Sequence, residues 1–407
     1  MKKIKVLDLR SFKTKQLNFS LIFVTLILVV FGILMVYSAS CYSANILYGN
    51  DKFFMNKQIV GAVIGVFAMA FFTLFDYHKL EKIKWIILAV SIVLLALVFV
   101  PGIGFSNNGA TRWIRLLGIS IQPSEIAKFA FVVWTSSYLA KNYDYIKTFK
   151  GILPVLFVGV IYCGLIILEP NMSITMCMAI TMIVMLFVGG IRAKHFLLLG
   201  SAGLVAVPAL IIAEPYRLKR LIAFTNPWLN PKTEGYQLIQ SLYGLGAGGL
   251  FGTGLFCSRQ KYLFLPFAES DFIFSIIGEE LGLFGCVIVL LLFAILIYQG
   301  IKIACNAVDR FGSYLATGVT TVIASQVLIN IAVVTGSIPP TGVPLPFISS
   351  GGTALVVFMG AIGILLNIHR QSKNSAFFMT KIWLQQILFL CYSELWRLTY
   401  ERKKRFV

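Results

Sequence analysis

The sequence predicts an all-α polytopic membrane protein of about ten transmembrane helices. Three observations carry this expectation. Hydrophobic residues make up 58% of the 407 residues and charged residues only 13%, about half the charged share of a soluble domain, and the mean hydropathy is +0.86. Several apolar runs reach the roughly 18–20 residues that cross a bilayer as a helix. The connections between those runs alternate sharply in charge.

The expected spans lie near 18–39, 55–75, 84–101, 123–141, 153–168, 173–190, 196–213, 271–300, 313–335 and 351–368. A basic arm, residues 1–17, precedes the first. That span is too long for a signal sequence and no small-residue cleavage site follows, so it is expected to stay in the mature chain. The arm, Lys79/Lys82/Lys84, Lys141/Lys147/Lys150, Arg192/Lys194, Lys302/Arg310 and the tail from Arg370 hold most of the 35 Lys and Arg. The positive-inside rule makes that side cytoplasmic. Both termini then lie inside, which agrees with an even number of spans. The tail, residues 371–407, has too few apolar residues after Ile382 to span, and its aromatics and basic end suggest an amphipathic helix on the inner leaflet. The net charge of +19 is spread over short turns, so anionic lipid headgroups, and no nucleic acid, are the expected partners.

One long connection faces outward, residues 214–270, between the seventh and eighth spans. It carries Arg217, Lys219, Arg220, Lys232, Arg259 and Lys261. Long loops escape the positive-inside rule, so this is either a solvated loop or an anion site. Within it, Gly244-x-Gly246-x-x-Gly249 lacks the strand a dinucleotide fingerprint needs and reads as a flexible glycine hinge. Gly61–Gly65 and Gly278–Gly282 read as close helix contacts.

The seven cysteines form no metal-type pair, no HExxH occurs, and all three histidines fall at cytoplasmic ends of spans. A general base on the outer face would therefore be a carboxylate. LPFAESDFIFSIIGEELG, residues 265–282, holds four of the sixteen acids. Asp271 opens the eighth span, where a helix N-cap is the other reading. Glu279 and Glu280 lie about 12 Å deeper by helix rise and are expected to pair inside a tight helix contact. Ahead of the fourth span, Pro123 suits a first helical turn. Glu125 and Lys128, three apart, can pair on one face. Arg112 and Arg115 lie just outside, beside Trp113.

These segments together resemble the SEDS family of cell-wall polymerases: FtsW, RodA and SpoVE. The likeness covers residues 18–370, expected as one transmembrane domain. It rests on MVYSAS (35–40), NGATRWIRL with IQPSEIAK (108–128), LEPN (168–171), PYRLKRLIAFTNPW with GYQLIQSL (215–242), QKYLFLP with SDFIFSIIGEELG (260–282) and GSIPPTGVPLPFISSGGTALV (336–356). NPW followed by GYQ is closer to the FtsW and SpoVE branch.

The resemblance implies ten helices with a large outer loop between the seventh and eighth. It implies peptidoglycan glycosyl transfer from lipid II at the bacterial plasma membrane, with inversion, beside a class B penicillin-binding transpeptidase and other division or sporulation membrane proteins. It places the essential Asp on Asp271, the QPSE..K motif on Gln122, Glu125 and Lys128, and the loop Arg on Arg220. Arg112, Arg217, Lys219 and Lys261 are the other cations expected to hold the donor pyrophosphate, with or without a divalent cation such as Mg or Mn. The family pattern LPE..TDF reads LPFAESDF here, so Phe267 replaces a Glu, and Glu269 is the candidate to compensate. The Asp expected after Pro170 is Asn171. A lipid II flippase and a non-catalytic division scaffold are the rival functions.

Overall fold

The computed structural model describes residues 17–107, 110–116, 119–212, 214–233 and 235–372. The basic arm up to residue 16 and the tail from residue 373, with its expected interfacial helix, lie outside the described residues.

In chain order the helices are α1 (Phe19–Tyr48), α2 (Phe53–Leu74), α3 (His78–Lys82), α4 (Lys84–Leu97), α5 (Pro123–Lys141), α6 (Phe149–Leu168), α7 (Met172–Val188), α8 (Ala193–Ile212), α9 (Pro215–Thr225), α10 (Tyr236–Gly248), α11 (Ile273–Cys305), α12 (Arg310–Val334) and α13 (Gly352–Gln371). Every expected apolar stretch is helical. Among the described residues, α1, α2, α6, α11, α12 and α13 are long and apolar enough to cross a membrane, and α4 and α7 are shorter apolar helices.

Helix α12 is the centre of the bundle, packed against α5, α7 and α11, and α13 lies along α2. The α2–α13 contact is close because Gly61 and Gly65 have no side chains: a Cβ on Gly61 would meet Gly352, and one on Gly65 would meet the Met359 sulfur. This is the close packing that small residues permit in membrane helices. Apolar side chains such as Phe67, Phe157 and Phe284 cover the outside of the bundle.

The structure corrects four expectations. First, α1 runs well past residue 39 and stops at Gly49, whose φ of 65° closes the helix as its N–H donates to the Asn45 carbonyl. Second, the protein is not purely helical. Strands β1 (Gly104–Asn107), β2 (Ala110–Leu116) and β3 (Ile119–Ile121) form an antiparallel sheet in the order β1-β2-β3. β-Branched and aromatic residues in ATRWIRL favour this extended form. Third, Asp271 lies in the turn before α11, and Phe272 holds the cap position. Fourth, the glycine-rich segment after α10 is docked, not a free hinge. Helix α11 breaks at Gly282 (φ 66°, ψ −164°). The carbonyls of Glu279 and Glu280 accept from Thr253 and Gly254, while Leu283 and Phe284 donate to Gly249 and Leu250. A Cβ on Gly252 would lie 2.1 Å from the Glu280 carbonyl oxygen, so only glycine fits there.

Candidate active site

The site is assembled at one end of the bundle from three separate elements. Strand β2 alternates its side chains between two faces. Arg112 shares a face with buried Ile114, whereas Arg115 shares the opposite face with Trp113 and stacks over the Phe105 ring at 4.5 Å. Alternation therefore sends Arg112, and not Arg115, inward. The Arg112 guanidinium donates from Nε to the Glu169 carbonyl at 3.2 Å and from Nη2 to the Pro170 carbonyl at 2.5 Å.

Helix α9 supplies the second cation. Arg217, Arg220 and buried Ala223 recur every three residues and lie on one face, while Lys219 is exposed. Arg220 Nη1 donates to the Pro340 carbonyl at 3.0 Å.

The third element is the turn holding Glu269 and Asp271. Its backbone is tied to the Thr335–Gly351 segment by two bonds, Ser350 N–H to Glu269 O at 2.9 Å and Ser349 Oγ to Ser270 O at 2.5 Å, and to α12 by a third, Asn330 Nδ2 to Asp271 O at 2.8 Å. Gly342 rests on the Asp271 side chain, and a Cβ there would come within 2.7 Å of Oδ2. Phe272, and not Asp271, holds the cap position of α11.

Packing around Asp271 pushes its pKa up to about 6. Arg112 opposes that push, the charge of Glu269 adds to it, and Arg220 opposes it. Burial raises the Glu269 pKa as well. Asp271, Glu269, Arg112 and Arg220, all named from the sequence, thus form one electrostatic group. Among the described residues no cluster of three or more His, Cys, Asp or Glu is built to hold a metal.

Glu169, an outer-side carboxylate within LEPN, has no role assigned from the sequence. It is fully buried, and its carboxyl oxygens have no hydrogen-bond partner. Burial pushes its pKa up to about 8, against the pull of Arg112. Its folded-state pKa lies above the unfolded value of about 4.3, so stability is lost as pH rises from there towards 8. Glu169→Gln is expected to lack this component. Thermal unfolding in detergent at pH 5 and pH 8 checks it: the wild-type protein should fall further between the two than the variant.

Other expected residues lie apart from the group. Gln122 is part-buried at the start of α5 and makes no side-chain cap bond. Glu125 and Lys128 are fully buried, with Lys128 Nζ 2.9 Å from Glu125 Oε2. The Lys128 ammonium also donates to Gln326 Oε1 and sits 5.0 Å from the Phe358 ring centroid. Lys261, expected to meet an anion, turns inward instead. It is 4% exposed, with Nζ 3.5 Å from Glu280 Oε1 and donating to the Phe256 carbonyl.

Glu279 and Glu280 do sit beside a tight contact, since a Cβ on Gly248 would strike the Gly278 carbonyl. Glu280 is paired there with Lys261, and both carboxylates also accept hydrogen bonds. Glu280 accepts from Ser38 Oγ at 2.6 Å and Ser258 N–H at 3.2 Å; Glu279 accepts from Ser258 Oγ, Arg259 N–H and Gln260 N–H. A buried carboxylate needs such donors, and the 258–261 loop supplies them.

The fold and site define a polytopic membrane protein whose ionisable groups converge at one end of a helix bundle. The chain belongs to the FtsW/RodA/SpoVE family, whose model, described as a cell cycle protein, matches residues 19–374. It is a multi-pass plasma-membrane protein. It is 43% identical over 356 residues to Stage V sporulation protein E of Bacillus subtilis (strain 168), covering 87% of this chain and 97% of that one. It is 38% identical over 351 residues to the probable peptidoglycan glycosyltransferase FtsW of Geobacter sp. (strain M18), covering 86% and 96%. Its fold is similar to a chain in the solved structure described as structural coordination of polymerization and crosslinking by a peptidoglycan synthase complex. That match has a TM-score of 0.72 at 26% identity and covers 88% of this chain and 99% of the other. Rod shape determining protein RodA of Thermus thermophilus shares the fold with a TM-score of 0.65 at 24% identity, covering 88% and 98%.

Proposed function

We propose that this chain is a peptidoglycan glycosyltransferase that polymerises lipid II on the outer face of the plasma membrane, for division or sporulation septa. The observation that carries the reading is Asp271: a carboxylate with a pKa near neutrality, electrostatically coupled to Arg112 and Arg220. A base is most useful when its pKa approaches the working pH. Family membership and the names of the relatives support the same activity.

In this reading ten helices, α1, α2, α4 to α8 and α11 to α13, cross the membrane, both termini are cytoplasmic, and the 214–270 loop is outside. Residues 18–370 form one transmembrane domain. The donor's lipid tail stays in the bilayer while its anomeric carbon meets the acceptor hydroxyl. Asp271 takes the hydroxyl proton as the new C–O bond forms. The bond from the anomeric carbon to the pyrophosphate oxygen breaks, and the pyrophosphate leaves with the electron pair. Arg112 and Arg220 neutralise that developing charge, with Arg217 and Lys219 beside them on α9. A single displacement inverts the anomeric centre. Any Mg or Mn would act at the pyrophosphate. The likeness to a chain of a peptidoglycan synthase complex supports a class B transpeptidase as partner.

Purified protein given lipid II, alone and with a candidate transpeptidase, is expected to yield glycan strands. Lipid II that crosses vesicles without polymerising would favour the flippase reading instead. Within the loop, Arg220→Ala is expected to lower polymerisation by about 10-fold or more, the usual scale for losing one charge-stabilising donor. Lys232, exposed on the loop, provides the comparison: Lys232→Ala should stay within about 2-fold. Equal and negligible effects of the two would reduce the loop to a cover.

A further inference from the structure

Helix α12 carries two amides, Gln326 and Asn330, in an otherwise apolar stretch. They are four residues apart and therefore on one face. Both are buried, at 0% and 1% exposure. Asn330 Nδ2 donates to two carbonyls, Asp271 O at 2.8 Å and Val343 O at 2.6 Å. Only an NH2 group can satisfy two carbonyl oxygens, so the amide orientation is fixed by its partners. Gln326 Nε2 donates to the Pro344 carbonyl at 3.0 Å, while its Oε1 accepts from Lys128. Its orientation is fixed in the same way.

The carbonyls these amides hold belong to Val343 and Pro344, next to Gly342, whose backbone rests against the Asp271 carboxylate. One amide therefore grips both the turn that carries Asp271 and the segment on which its carboxylate lies. The other extends that grip to the buried Glu125–Lys128 pair.

We propose that Asn330 is a positioning residue for Asp271, clamping its backbone to the Gly342–Pro344 segment so that the carboxylate faces the reacting hydroxyl, with Gln326 bracing the same segment from the Lys128 side. The inference rests on Asp271 being the base. The physical basis is the tolerance of proton transfer: a base displaced by about 1 Å loses on the order of 100-fold in rate. Substrate binding, which depends on the loop cations and the lipid, is unaffected. An apolar residue could fill the space beside Val343 but would leave two buried carbonyls unpaired and the turn unanchored. Aspartate would face the same carbonyls with oxygen and repel them.

The test uses the full-length protein in detergent or nanodiscs with lipid II. Asn330→Ala is expected to lower kcat by about 10-fold or more with KM for lipid II within about 2-fold. In an Asp271→Asn background the same substitution should cost nothing further, because the group it positions is gone. A purely structural role moves kcat and KM together with folded yield, and its cost persists in the double variant; that outcome overturns the inference.

If Asp271→Asn alone keeps normal activity, the base assignment fails. If Asp271→Asn is inactive while Asn330→Ala turns over normally, only the positioning role fails. Should Asn330→Ala not accumulate as folded protein, Gly342→Ala decides. Its Cβ would come within 2.7 Å of Asp271 Oδ2 and displace the carboxylate without touching Asn330, and a loss of about 10-fold in kcat at unchanged melting temperature is expected. Normal kcat in that variant overturns the proposal.

Discussion

Lys128→Ala is expected to destabilise the folded protein by about 3–5 kcal/mol, the usual cost of breaking a buried pair by removing one partner. Both side chains are fully buried, and Lys128 Nζ lies 2.9 Å from Glu125 Oε2. The two Glu125 oxygens have no other polar partner. Alanine would leave a carboxylate with nothing to compensate it and would release Gln326 from the ammonium it accepts. The stability lost is desolvation that Lys128 offsets, more than net attraction. For that reason Lys128→Met combined with Glu125→Leu is expected to recover much of the loss. Folded yield and thermal unfolding in detergent measure both. A Lys128→Ala protein with wild-type stability would mean that the pair contributes little.

That pair also shows what the sequence makes legible. Spacing of three on a helix put Glu125 and Lys128 on one face, and the helical stretches followed from apolar runs of bilayer length. Asp271, Arg112 and Arg220 could be named because long motifs carry them, and Glu269 because Phe267 departs from the motif beside it; the structure brings those four together. What escaped depends on contacts between distant segments. Lys261 meets Glu280, nineteen residues further along the chain, and Ser38 of α1 reaches the same carboxylate. Neither pairing has a local signal. In the sheet between residues 104 and 121, β1 and β3 are only four and three residues long, and the seven residues of β2, ATRWIRL, do not alternate strictly between polar and apolar, so no strand stood out from a loop. Glu169 was visible only as part of LEPN, and its burial belongs to the fold. Gln326 and Asn330 did leave a signal: two amides at helical spacing inside an apolar span, where an unpartnered amide is costly.

Asp271 carries the central claim. Asparagine keeps its size and hydrogen-bonding capacity while removing the ability to take a proton. The bond from Asn330 falls on the Asp271 backbone carbonyl, which asparagine retains, and the amide has the size of the carboxylate beside Gly342, so the turn is expected to keep its shape. Glu269→Gln and Glu279→Gln are the comparisons, because a loss common to all three would point to the charge of the acidic group and not to one base. The wild-type rate should also fall as pH drops through about 6, where the Asp271 carboxylate becomes protonated. The most direct measurement is the rate of glycan-strand synthesis from lipid II by purified wild-type and Asp271→Asn proteins at equal folded concentration. The expected result is a loss of roughly 100-fold or more, the scale of a missing general base, with melting temperature and transpeptidase binding unchanged. An Asp271→Asn protein that makes strands at near wild-type rate contradicts the account.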